Sequence, residues 1–269
     1  MKPVAFEYAR PATVAEALGL LATPGAKVLA GGQTLGPMLN LRLAQPAVLV
    51  DITRIAELAA VAEDAASVTI GAIVTHAAIE DGLVKDPTGG FLARVARGIA
   101  YRAVRTRGTI GGSLAHADPA ADWLSCLTAL GAQLLIAGSG TNRRLPLAGF
   151  VRGAMETELA QTEIILGIRL PKFSPSARFG FHKICRKAGE FADAIGVVVD
   201  DPERAYFCAV AGATGGRPLV PEMSAADLEA ITVGRPETVL QSAGFTGDTY
   251  QLQLHTIALQ RAYRKACAA

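Results

Sequence analysis

"LAGGQTLGPMLNLRLAQPAVLVDIT", residues 29–53, sets a glycine pair, a Gln-Thr, an apolar run and a single aspartate between two hydrophobic segments. Lys27 to Ala30 reads as a short apolar strand, Leu35 to Arg42 as one or two helical turns, and Val48 to Asp51 as a buried strand. Upstream, Phe6-Glu7-Tyr8 is extended, and Thr13-Val14-Ala15-Glu16 opens an Ala/Leu helix with a capping box. Strand, helix, strand, short helix, strand is a small α/β unit with parallel pairing. The bare backbone of Gly31-Gly32 admits two readings, a tight turn or a backbone laid against a phosphate.

Beyond residue 56 the texture changes. Leu58 to Val61 and Ser67 to Gly71 read as strands around a Glu63-Asp64 turn, followed by helices at Thr75 to Glu80 and Phe91 to Ala100. Asp118-Pro119 caps a helix to about Leu130. Gln133 to Ala137, Arg143 to Leu145 and Glu163 to Leu170 supply further strands. Pro171 to Pro175 interrupts two strand-like runs and marks a boundary, giving residues 1–172 (a small unit, 1–56, and a larger one, 57–172) and residues 173–269. After it, Ala177 to Arg186, Ala194 to Val199 and Ala205 to Ala211 form an antiparallel meander. Gly212 to Pro218 is a loop, Ser224 with Asp227 caps one helix, and Thr249 to Ala268 is a long amphipathic helix. The fold class is α+β.

Composition excludes several functions. The chain has 269 residues, is 51% hydrophobic and 19% charged, and carries a net charge of +2, too slight to argue for nucleic acid or a membrane surface. The start, MKPVAFEYARPATVAEAL, has no continuous apolar core of a signal peptide. The longest uncharged stretch, Leu124 to Asn142, is broken by polar residues and a Gly138-Ser139-Gly140 turn, so it is a buried helix and strand rather than a membrane span. The four cysteines, Cys126, Cys185, Cys208 and Cys267, lie far apart without C-x-x-C spacing, which fits reduced cytoplasmic thiols and no metal or iron–sulfur site on this chain.

A second glycine segment, Arg107-Gly108-Thr109-Ile110-Gly111-Gly112-Ser113, repeats the design of the first and adds two hydroxyls. Two such turns followed by helices point to a long ligand with a central diphosphate. Neither fits G-x-G-x-x-G or a Walker A motif. Ser113, His116 and Asp118 sit too close in sequence for a serine hydrolase triad, and no G-x-S-x-G elbow surrounds the serine. His116 reads either as a ligand contact or as a satisfied loop histidine; His76 and His255 read as ordinary helix residues.

Three motifs carry a family resemblance: AGGQTLGPMLNLRLAQPAVLVDITRI (30–55), VRTRGTIGGSLAHADPAAD (104–122) and FGFHKICRKAGEFADAIGVVV (179–199). In order and spacing they resemble the FAD-binding medium subunit of molybdenum hydroxylases, the group that includes carbon monoxide and xanthine dehydrogenases. The resemblance implies a two-part FAD-binding domain of the vanillyl-alcohol-oxidase (PCMH) type, followed by a C-terminal domain of three antiparallel strands and helices. It implies non-covalent FAD, with Ala30, Gly31, Gly32, Gln33 and Thr34 on the diphosphate and Thr109, Gly111, Gly112, Ser113 and His116 completing the pocket. Asp122 falls on the family's FAD-contacting aspartate, Ile165 on a strand whose apolar residue touches the cofactor, and Lys183 on the lysine near the flavin. No residue of this chain is assigned a catalytic role.

The implied function is electron transfer from [2Fe–2S] clusters to a terminal acceptor. Molybdopterin would lie on a large partner and [2Fe–2S] on a small one, in a dimer of heterotrimers. The chain departs from the pattern at Gly36, where a larger apolar residue is common, at Thr106 in place of Asn, at His182, and across Arg217 to Gly247. Two rival readings are a free-standing flavin oxidase or reductase and a degenerate, non-catalytic assembly module. The first lacks an obvious flavin-tethering motif, and the intact glycines in both segments oppose the second. Strand alternation adds one independent expectation: Phe179, Phe181, Lys183 and Cys185 share a face, so Lys183 needs an anionic or hydrogen-bonding partner, for which the flavin ring edge is one choice.

Overall fold

The computed structural model describes residues 2–138, 140–224 and 237–268. The first unit holds β1 (Glu7–Ala9), α1 (Val14–Leu21), β2 (Ala26–Leu29), α2 (Leu35–Asn40) and β3 (Val48–Asp51), with a parallel sheet ordered β1-β3-β2. Thr13 caps α1 by accepting from the Glu16 N–H, while the Glu16 carboxylate reaches back to Ala12 N–H rather than Thr13, so the box is displaced by one residue. Val14, Ala17 and Leu21, spaced i, i+3, i+7, are buried in the core of this unit. A Val or Leu fully buried in this way contributes about 1.5–3 kcal/mol. The lone Asp51 is a staple: it accepts from the Tyr8 hydroxyl and from Thr53 N–H and Oγ1, and pairs with Arg10. Burial alone would raise its carboxyl, and the hydrogen bonds from Thr53 and Tyr8 reverse that to a net lowering.

The second unit is built on a five-stranded sheet. It comprises α3 (Ala56–Ala59), β4 (Val61–Glu63), β5 (Ser67–Gly71), α4 (His76–Glu80), α5 (Phe91–Arg97), α6 (Arg102–Arg105), α7 (Ile110–His116) and α8 (Asp122–Ala129). These are followed by β6 (Gln133–Ala137), β7 (Asn142–Pro146), the hairpin β8 (Val151–Gly153) with β9 (Glu156–Thr157), and β10 (Ile164–Pro171). The sheet order is β4-β5-β10-β6-β7, antiparallel throughout. The expected strand at Leu58 to Val61 is corrected: Leu58 is fully buried in α3, whose end is tied down when its carbonyl accepts from Ile73 N–H, and the strand starts at Val61. Asp118 does not cap α8 either. Its carboxylate accepts from Ala120 N–H in a local turn, and the helix starts at Asp122, four residues later, behind an extended Ala121.

The third part is the antiparallel meander β11 (Arg178–Ile184), β12 (Ala194–Asp201) and β13 (Tyr206–Gly212), followed by α9 (Glu237–Ser242) and α10 (Thr249–Cys267). Asp248 caps α10 with a reciprocal box to Gln251. The helix expected after Ser224, with Asp227, lies outside the described residues. All eight positions of α8 are buried, because one hydrophobic core runs from the five-stranded sheet through α5, α7 and α8 to β12 and β13. The opposite face of the three-stranded sheet is covered by α10. Among the described residues, no helix is long and apolar enough to cross a membrane.

Candidate cofactor-binding site

The two glycine segments touch. A Cβ on Gly31 would lie 2.0 Å from the Arg107 carbonyl oxygen, so only glycine lets the second segment approach. Gly32 has a positive φ of 70°, which turns the chain into α2. At this turn the N–H groups of Gly32, Gln33 and Thr34 donate to no acceptor among the described residues. Consecutive free amides around a left-handed glycine form a concavity suited to an anion. Close packing thus accounts for Gly31 and the turn for Gly32, and the free amides remain for a ligand.

The second segment is a helix start rather than an open loop. Thr109 is the N-cap of α7 and its buried hydroxyl accepts from Gly112 N–H at 3.1 Å. Ile110, Gly111 and Leu114 face the core, whereas Gly112, Ser113 and His116 share the partly exposed face. A Cβ added at Gly112 would point within 3.8 Å of the Ala30 Cβ, so Gly112 looks across at the first segment.

Asp122 and Lys183 find each other. Lys183 Nζ donates to Asp122 Oδ2 at 3.1 Å and to the Gly98 carbonyl at 3.4 Å, and the side chains are 9% and 5% exposed. Burial pushes the Asp122 carboxyl up and the Lys183 ammonium opposes it; the N-terminus of α8 adds favourable charge. The anionic partner that alternation demanded for Lys183 is therefore a carboxylate of this chain. Asp122 Oδ1 is buried and has no hydrogen-bond partner among the described residues. Such an atom costs free energy unless a donor reaches it.

The third motif also docks on the chain just ahead of the second. Gly189 bridges to Ile99 in parallel fashion, and a Cβ there would fall 2.7 Å from the Ala100 carbonyl. The Ile99 and Ala100 carbonyls accept from the guanidinium of Arg105, which is buried and paired with Glu80 at 2.7 Å. Sequence reading missed Arg105 and Gly98, since nothing local distinguishes a buried bracing arginine from a surface one.

Ile165 is not brought to this surface. Ile165 alternates with Ile164 and Leu166 and lies in the helix-side core, at 4% exposure. Its neighbour Leu166 instead packs, partly exposed, in the cluster that holds Ala30 and Ile73. Among the described residues, no group of three His, Cys, Asp or Glu side chains could hold a metal ion.

Comparison with known proteins identifies the family. A family described as "FAD binding domain in molybdopterin dehydrogenase" matches residues 4–173. The carbon monoxide dehydrogenase medium chain of Hydrogenophaga pseudoflava is 40% identical over 200 residues, covering 72% of this chain and 68% of that one. The nicotine 6-hydroxylase medium subunit of Paenarthrobacter nicotinovorans is 34% identical over 227 residues, covering 82% and 80%. Among solved structures, a carbon monoxide dehydrogenase from Hydrogenophaga pseudoflava superposes with a TM-score of 0.86 at 31% identity, covering 100% of this chain and 99% of the other. Quinoline 2-oxidoreductase from Pseudomonas putida 86 does so at 0.83 and 30%, with the same coverage.

The chain belongs to the FAD-binding medium subunits of molybdenum hydroxylases, an oxidoreductase family whose cofactor is FAD. The residues fit that group: free amides at a positive-φ turn for a diphosphate, an opposed glycine at Gly112, and an orphaned carboxylate oxygen at Asp122.

Proposed function

We propose that this chain binds one FAD non-covalently between its glycine segments and serves as the electron-transfer subunit of a heteromeric molybdenum hydroxylase. The carrying observation is the meeting of Gly31–Thr34 with the start of α7, which leaves three amides free beside a partly exposed helix face. In this reading the Gly32, Gln33 and Thr34 amides take the diphosphate, and Gly112, Ser113 and His116 line its other side. Asp122 and Lys183 place a fixed charge pair beside the cofactor and, being buried, exclude water there. Bound FAD supplies a centre that takes up and gives off two electrons.

Electrons would arrive from [2Fe–2S] clusters on a small partner and leave to a terminal acceptor, with molybdopterin on a large partner. A dimer of heterotrimers is the proposed assembly. Support comes from relatives described as medium chains or subunits of carbon monoxide dehydrogenase and nicotine 6-hydroxylase.

Acid or heat release followed by chromatography tests the cofactor: free FAD at one per chain is expected, and FMN or protein-attached flavin would refute the reading. Gly112→Val provides the site test, because its Cβ would lie 2.7 Å from the Thr109 hydroxyl and its branches would fill the face opposite Ala30. FAD content should collapse with the circular dichroism spectrum retained, and full flavin content would move the site elsewhere.

A further inference from the structure

His76, outside all three motifs, is the first residue of α4, buried at 5% exposure, and it touches both halves of the site's framework. Its N–H donates to the Gly108 carbonyl at 2.9 Å, next to the Thr75–Thr109 bridge. A Cβ on Gly108 would stand 2.9 Å from the imidazole Cδ2 and Nε2, so the ring lies flush against the second glycine segment. On its other side the ring meets α8: the Trp123 indole N–H donates to His76 Nδ1 at 3.1 Å. Indole nitrogen can only donate, which makes Nδ1 the acceptor and places the ring proton on Nε2. Burial and the nearby Arg105 charge lower the imidazole to about 4, so it is neutral at ordinary pH and keeps that lone pair.

Trp123 follows Asp122, and Gly108 follows the Arg107 carbonyl that presses on Gly31. One side chain therefore spans from the start of α8, where the Asp122–Lys183 pair sits, to the backbone that closes on the first segment. We infer that His76 is a positioning residue, a spacer whose Nδ1 bond to Trp123 fixes the second glycine segment relative to the start of α8. Its consequence for FAD rests on the function proposed above.

The test uses the full-length chain and three variants. His76→Leu keeps the bulk and removes the acceptor. His76→Asn offers an oxygen close to the Nδ1 position. Trp123→Phe removes the donor alone and carries the same comparison should His76→Leu fail to fold.

Amide hydrogen exchange of residues 107–112 in flavin-free protein should rise about tenfold in His76→Leu and return towards wild type in His76→Asn. FAD affinity, followed by quenching of flavin fluorescence on reconstitution, should fall about tenfold in His76→Leu and recover in His76→Asn. Unchanged exchange in His76→Leu, or no recovery in His76→Asn, would overturn the assignment. A wild-type chain that takes up no FAD while the exchange pattern holds would remove the flavin reading and leave the spacer role standing.

Discussion

Two buried residues set the chemistry of the site at the smallest scale. Lys183 is the cation that makes Asp122 tolerable in the core. Lys183→Met strands that carboxylate without its partner, and breaking a buried pair on one side costs about 3–5 kcal/mol. Urea denaturation should show that loss, and Asp122→Asn combined with Lys183→Met should recover much of it; a Lys183→Met midpoint equal to wild type would show the pair to be idle. His76 gives a pH signature. It titrates at about 4 in the folded chain against an ordinary value near 6.5. Between those values the unfolded chain binds more protons, so stability is complete above pH 6.5 and is lost as pH falls towards 4. The loss amounts to about 2 kcal/mol at pH 5. The half-buried His182, also lowered to about 4, acts in the same direction. Urea titrations at pH 7 and pH 5 should therefore show a smaller stability difference in His76→Asn than in wild type, but not a vanished one. Equal differences in both proteins would assign the acid lability to other groups.

Elements are held apart or together by where side chains are missing. Gly31 and Gly36, five residues apart, make opposite predictions. At Gly31 a methyl group would collide with the Arg107 carbonyl at 2.0 Å, forcing the two glycine segments apart. Gly31→Ala should cost about 3 kcal/mol or more, as other backbone clashes in tight packing do, and should release flavin. At Gly36, within α2, a Cβ would meet nothing within 4 Å and φ is not in the left-handed region. Gly36→Ala should stabilise by about 0.5–1 kcal/mol through reduced chain entropy. Thermal melts of the two variants, read with FAD content, should separate in opposite directions. A Gly31→Ala protein as stable and as yellow as wild type would break the proposed apposition.

Over the whole molecule, the boundary at Pro171 to Pro175 divides the sequence more than it divides the core. Phe179 from β11 stacks on Phe91 of α5 at 5.3 Å and meets Phe173 edge-on at 5.1 Å, so the meander completes the cover over α8. Shared burial of this kind couples the parts into one cooperative unit. Calorimetry should give a single transition, and Phe179→Ala should lower the stability of the entire chain by about 3–5 kcal/mol. Two resolved transitions, with only the later one moved by the substitution, would show independent domains instead.

The sequence by itself determined most elements and the family. Period-two and period-3.6 patterns are local, and so are the Thr13 cap and the three motifs. It also demanded a partner for Lys183, since alternation placed a charge on an apolar face. Tertiary structure alone decided who that partner was, because Asp122 lies 61 residues away and the pairing is made only when β11 packs against α8. The same holds for the helix at Leu58, which depends on a carbonyl contact with Ile73, and for Ile165, which is buried in the core shared with α5, α7 and α8. His76 looked ordinary in its helix, and its contacts with Gly108 and Trp123 join segments 32 and 47 residues distant. Local pattern records which face is buried; what it is buried against depends on contacts closed through space.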